Sequence, residues 1–328
     1  MKRLLAWWED LCKGSRTLRF VDVNLRGIGQ VMFQDNPLSG LLFFVAIGWG
    51  SFAAGMPQVA IGGLVALIAG TLTAQWLRVD TAGLAAGLYG YNAYLVGLAL
   101  GTFLAVSPLW WIYVALGGAV SVVAALGTVN VFKTWGVAAL TAPFVLTAWL
   151  LLLATYAFTA IEGSGLPMSA EITPLDPAVA NPLAFGDFMQ GVLKSISQVF
   201  LKASILSALL LLAGLAVNSL AAAVFAFIGA VVAVIAGHLL GAESDLITGG
   251  LMGFSPVLTA IALGAVFNTP TPRVVVYALV ATVFTVIVQG AMNVALAPLG
   301  IPTLTAPFVL VSWLFLLPRQ HFELAARP

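Results

Sequence analysis

Charge is the scarcest ingredient of this sequence. Its 13 Lys and Arg and 12 Asp and Glu make up 8% of 328 residues, against roughly 25% in soluble domains. That excludes an ordinary soluble domain. The two signs nearly cancel, to a net charge of +1, which argues against nucleic acid as a partner. Cysteine is almost missing too: Cys12 alone rules out an intrachain disulfide and any metal cluster built on cysteine. Of the two histidines only His238 falls in a candidate span, where it has no partner for a proton relay. No buried carboxylate pair or metal motif marks the apolar segments, so neither a cofactor nor an intramembrane enzyme is expected.

What fills the chain instead is apolar, 61% of it, in long continuous runs. Barrel strands would alternate over segments of about ten residues, whereas a run of about 20 apolar residues spans a bilayer as a helix. The fold class expected is an all-α polytopic membrane protein. The N-terminus, "MKRLLAWWEDLCKGSRTLRF", reads as a basic amphipathic helix and lacks the long apolar core of a signal peptide.

The chain is written twice. "LRGIGQVMFQDNPLSGLLFF" (25–44) aligns without gaps to "LKSISQVFLKASILSALLLL" (193–212). "LYGYNAYLVGLALG" (88–101) aligns to "LMGFSPVLTAIALG" (251–264), and "LTAPFVLTAWLLLL" (140–153) to "LTAPFVLVSWLFLL" (304–317). The offsets are 168, 163 and 164 residues. Three collinear blocks, one sharing an identical "LTAPFVL", establish an internal repeat.

Each half holds about five apolar segments, near 29–56, 59–77, 82–105, 108–131 and 135–158, then near 192–216, 219–240, 246–267, 274–297 and 304–321. An odd number of spans per half makes the second half enter from the opposite face, so the two are inverted repeats with a central pore between them. The basic residues test this topology. With a cytoplasmic N-terminus, Lys2, Arg3, Lys13, Arg16, Arg19, Arg26, Arg78, Lys133, Arg273, Arg319 and Arg327 all land inside. Outside falls the stretch 159–190, with Glu162, Glu171, Asp176 and Asp187 and no Lys or Arg; Glu243 and Asp245 also fall outside. Lys194 and Lys202 alone break the rule. The expected order is an amphipathic segment (1–26), a first repeat (27–158), an extracytoplasmic linker (159–190), a second repeat (191–321) and a cytoplasmic tail (322–328), in the cell's inner or plasma membrane.

In such folds the site lies where helices are interrupted at equivalent places. Asn36-Pro37 precedes "LSGLLFF", and a Pro in the first helical turn loses no internal hydrogen bond. The second block is Gly-rich and pairs Asn92 with Ser255-Pro256, so each copy is expected to be a short or broken helix reaching mid-membrane. Thr141 and Thr305 are related by the pseudo-twofold and place two hydroxyls near the repeat interface. Each feature also has a plain structural reading: glycines let helices pack closely, and a Thr bonds the carbonyl four residues back. Packing alone, however, does not require Gln30 to recur as Gln198. Asp35 and Lys202, at neighbouring repeat positions near opposite faces, are expected to meet water or cap helix ends. A lining of Gln, Thr, backbone carbonyls and rings such as Phe33, Tyr91 and Phe254 suits a small neutral polar solute.

"RGIGQVMFQDNPLSG", "GLYGYNAYLVGLALG" and the two "LTAPF" blocks resemble the urea transporters, a family of channel-like proteins, and the resemblance runs from about residue 20 to 320. It implies a homotrimer embedded in lipid, with one pore per protomer passing urea passively down its gradient. It implies flat slots between stacked aromatic and aliphatic side chains, with ladders of oxygens along their edges. By motif match Gln30, Val31, Phe33, Tyr91, Leu95 and Thr141 would build the first-half share, and Gln198, Val199, Leu201, Phe254, Leu258 and Thr305 the second. There are departures. "KASILSA" stands where the first repeat has "QDNPLSG", Leu201 pairs with Phe33, and Tyr91 adds a hydroxyl where a Phe is expected. A related amide therefore stays open as a substrate. The rival readings are a proton-coupled transporter using Asp35, Lys202 or His238, and an ammonia channel, which would need more pore histidines than His238.

Overall fold

Seven helices of the first half recur in order in the second, in a computed structural model that describes residues 2–322. After α1 (Lys2–Gly14) come α2 (Arg16–Gln30), α3 (Pro37–Ala53), α4 (Pro57–Trp76), α5 (Thr81–Ala85), α6 (Tyr91–Phe103), α7 (Pro108–Lys133) and α8 (Ala142–Leu153). The second set is α9 (Phe185–Ser197), α10 (Ile205–Asn218), α11 (Leu220–Leu239), α12 (Ser244–Thr248), α13 (Phe254–Ile261), α14 (Pro272–Leu296) and α15 (Ala306–Leu316). Apart from an isolated bridge between Leu104 and Gly163, the described residues hold no β-structure. The chain is an all-helical, multi-pass membrane protein. Arg327 and the rest of 323–328 lie outside the described residues.

Local sequence explains most helix starts. Asn36 accepts from the amides of Leu38 (2.9 Å) and Ser39 (3.3 Å) through Oδ1, with Pro37 in the first turn of α3; this is the arrangement expected of an N-cap followed by proline. Ser204 does the same work for α10 by accepting from Ser207 N. Ser107 and Thr271 cap the two helices that open on Pro108 and Pro272.

The spans are less uniform than ten apolar segments suggest. Among the described residues, only α4, α7, α11 and the stretch Pro272–Leu299 are long and apolar enough to cross a membrane unbroken. The run 29–56 breaks between Gln30 and Pro37, and 192–216 is two helices bent by 71°. In 82–105 and 246–267 the five-residue α5 and α12 are followed by non-helical turns before α6 and α13. Helix α8 begins at Ala142, seven residues into the run 135–158.

Reciprocal contacts establish the twofold relation between the halves. Ser39 Oγ donates to Gly214 O at 2.7 Å and Ser207 Oγ to Ala46 O at 2.7 Å. Trp149 Nε1 donates to Pro302 O and Trp313 Nε1 to Ala138 O, both at 2.9 Å. Contacts in which each partner's equivalent meets the other's equivalent require a twofold axis. The two serine contacts are buried, so leaving their polar atoms unpaired would be costly.

Two charged residues sit where the sequence leaves them open. Asp35 ion-pairs with Arg26 at 2.7 Å, and Arg26 also pairs with Asp22 at 2.8 Å. Lys202, expected to face water or cap a helix, is instead 4% exposed. Its stem packs over Gly50 of α3, where the missing side chain leaves room for the methylenes. His238 lies exposed in the last turn of α11. Replacing Arg26 by Met is expected to lower stability by roughly 1–3 kcal/mol, since the half-buried Asp22 loses its charged partner; thermal unfolding in detergent checks this.

Candidate functional site

The interruptions of both repeats converge between them. Gln30 closes α2, and its Nε2 donates to Ala86 O at 2.9 Å; Gln198 Nε2 donates to Gly249 O at 3.0 Å. A carbonyl oxygen only accepts, so the amide nitrogen must face it and each Gln turns its Oε1 away from the loop. The turns that follow α2 and α9 place Phe33 and Leu201 at φ 63° and 58°. A left-handed conformation is unfavourable for such residues, and both sit in a turn closed by backbone bonds, Gln34 N to Gly29 O and Lys202 N to Ser197 O. The Phe33 ring meets Phe267 and Phe308 edge-on, with centroids 5.9 and 6.2 Å apart.

A second pair of left-handed residues, Leu140 (φ 54°) and Leu304 (φ 50°), immediately precedes Thr141 and Thr305. The two Thr hydroxyls meet at 2.6 Å across the twofold and are 3% exposed each. Tyr91, the first residue of α6, donates its hydroxyl to Leu140 O at 2.6 Å. Its neighbour Asn92 accepts from Phe144 N at 3.2 Å.

A cavity of about 480 Å³ leads to this Thr pair. Of the residues marked in the sequence, Gln30, Val31, Phe33, Tyr91 and Thr141 line it. Leu95 does not; it is buried in the core, as are Val199, Leu258 and Phe254. Gln198 and Leu201 are half-buried away from this cavity, and Thr305 touches its end through Thr141. The second repeat contributes Val266, Phe267 and Phe308 to the wall instead. Phe308 belongs to the repeated "LTAPF", so a signal for it was present. Phe267 carries none, since only the tertiary packing brings it to Phe33.

Asp80 and Tyr89 also line the cavity, at an exposed position. The Tyr89 hydroxyl and the Gly83 amide donate to the Asp80 carboxyl and hold it below the usual carboxylate range. That carboxyl therefore stays charged at neutral pH. Deeper in, the lining is apolar wall interrupted by hydroxyl, amide and carbonyl oxygens. Such a lining offers hydrogen-bond acceptors and no charge to balance an ion.

The comparisons with known proteins agree with one another. The urea transporter family profile matches residues 21–320. Urea transporter 1 of Ovis aries is 31% identical over 323 residues, covering 97% of this chain and 81% of that protein. Urea transporter 1 of Capra hircus is 30% identical over the same length and shares, and that of Mus musculus 31% over 329 residues, again with 97% and 81% covered. With the family matched over nearly its whole length and interrupted repeats meeting at an acceptor-lined cavity, this chain belongs to the urea transporter family.

Proposed function

We propose that urea moves passively down its gradient through each protomer, along the cavity and past the Thr141–Thr305 pair. The observation that carries this path is the contact of the two hydroxyls at 2.6 Å on the twofold, at the end of a cavity lined by Gln30, Phe33 and Tyr91. Urea is planar, with amino hydrogens along its edges. Apolar walls of Val31, Phe33, Phe267 and Phe308 strip water from its faces. Oxygens of Gln30, Gln198, Thr141 and Thr305 accept from its edges. An unmet N–H would cost roughly 1–3 kcal/mol, so flat amides pass and ions, lacking any compensating charge, do not.

The protein is a transporter rather than an enzyme. It sits in the cell's inner or plasma membrane with both termini cytoplasmic, as the distribution of Lys and Arg favours. It assembles as a homotrimer surrounded by lipid, a reading supported by its family. Proton coupling finds no support: Asp35 is engaged by Arg26, His238 is exposed at a helix end, and Lys202 is buried against α3.

Stopped-flow permeability of the purified protein in vesicles tests the reading. Urea and acetamide are expected to pass, with saturation only at high urea, while glycerol lags. A pH gradient is expected to leave the urea rate unchanged. Accumulation of urea driven by that gradient would establish coupling and overturn passive flux.

A further inference from the structure

We propose that the Tyr91 hydroxyl makes the pore asymmetric: it occupies the Leu140 carbonyl, while the equivalent Leu304 carbonyl stays open to the solute. This rests on the solute path proposed above. Leu140 and Leu304 hold the same place in the two repeats, at left-handed φ of 54° and 50°, one residue ahead of the paired threonines. A left-handed residue just before a helix turns its carbonyl out of the helical ladder. Neither Phe144 N nor Phe308 N, four residues on, bonds it.

In the first repeat, side chains satisfy both groups. Tyr91 donates to Leu140 O at 2.6 Å, and Asn92 Oδ1 accepts from Phe144 N at 3.2 Å. The equivalents in the second repeat are Phe254 and Ser255. Phenylalanine has no hydroxyl to donate. Serine is too short to do what Asn92 does, and Ser255 Oγ, fully buried, has no hydrogen-bond partner among the described residues. Two neighbouring substitutions thus remove both internal partners on one side of the twofold only. A buried carbonyl without a donor is costly, so a solute carrying N–H groups is held more firmly on the Leu304 side than on the Leu140 side. Urea, with two amino groups, gains more from an extra acceptor than acetamide, with one.

The ratio of urea to acetamide permeability in vesicles tests this. Tyr91→Phe releases Leu140 O and is expected to raise the ratio roughly threefold. Phe254→Tyr places a hydroxyl toward Leu304 O and is expected to lower it by a similar factor. Tyr91→Phe keeps the ring and removes one atom, so it decides the matter alone if Phe254→Tyr does not fold. A general loosening of the protein would change both solutes together and leave the ratio where it was. An unchanged ratio in Tyr91→Phe, with Thr141→Val/Thr305→Val still slowing urea, overturns the asymmetry and leaves the path standing. If the Thr variant also leaves urea flux unchanged, the path fails and the asymmetry with it.

Discussion

Replacing Thr141 and Thr305 together by Val is expected to cut urea permeability roughly tenfold to a hundredfold while the protein keeps its fold. Valine has nearly the shape of threonine, and the two hydroxyls are each other's partners at 2.6 Å. Removing both leaves no orphan, and such paired removals are close to neutral for stability. Each single replacement instead strands the other hydroxyl in a site 3% exposed, at about 1 kcal/mol or more. The double variant is therefore the cleaner probe. The solute loses its polar rung at the twofold, and one or two unmet N–H groups add roughly 1–3 kcal/mol to the barrier, where each 1.36 kcal/mol is about tenfold in rate. Stopped-flow flux and thermal unfolding, measured on the same preparations, read the two effects separately. Unchanged flux would make the pair a structural clasp between the repeats.

The largest effects on folding are expected at Gly87 and Gly250. They are equivalent in the two repeats, with φ of 75° and 78°. A Cβ on Gly87 would lie 2.3 Å from Gly27 N, and one on Gly250 2.4 Å from the Lys194 carbonyl carbon. Alanine there meets both a disfavoured backbone conformation, about 1–2 kcal/mol, and backbone atoms that have no rotamer to yield. Gly87→Ala and Gly250→Ala are expected to cost roughly 3 kcal/mol or more each and to give little folded protein. The same turns supply the carbonyls that Gln30 and Gln198 bind, Ala86 O and Gly249 O. Any folded fraction should transport urea slowly. Gly48→Ala in α3 is the control, because nothing lies within 4 Å of its added Cβ. It is expected to be neutral or slightly stabilising, as alanine is the better helix former. Equal yields of monodisperse protein from all three variants would show that the turns tolerate a side chain.

Much of this protein was legible without coordinates. Scarce charge and long unbroken apolar runs point to a membrane helix bundle, because only helices and closed barrels hide their backbone in lipid and barrel strands alternate. The repeat was legible because identical residues at a constant spacing are a property of the chain as written. From it followed the kinship of Thr141 with Thr305 and of Gln30 with Gln198.

The breaks were harder to see. Nothing in "GQVMFQDN" or "SQVFLKAS" announces that Phe33 and Leu201 take left-handed φ, since neither residue type favours it. The surrounding turn imposes that conformation, and an apolar run looks continuous whether or not its helix is. Lys202 reads as an exposed charge until Gly50, from the other repeat, makes room for its stem. The amide of Gln30 was legible as polar, but not that its nitrogen faces Ala86 O. Phe267 reaches Phe33 only because the turn after α2 and the segment after α13, more than 200 residues apart in the chain, meet in the fold. Residue identity and spacing thus established the membrane class and the repeat. Which polar atoms pair with each other was settled by contacts of a few ångströms between residues remote in the chain. A pattern read along one dimension carries no record of those distances.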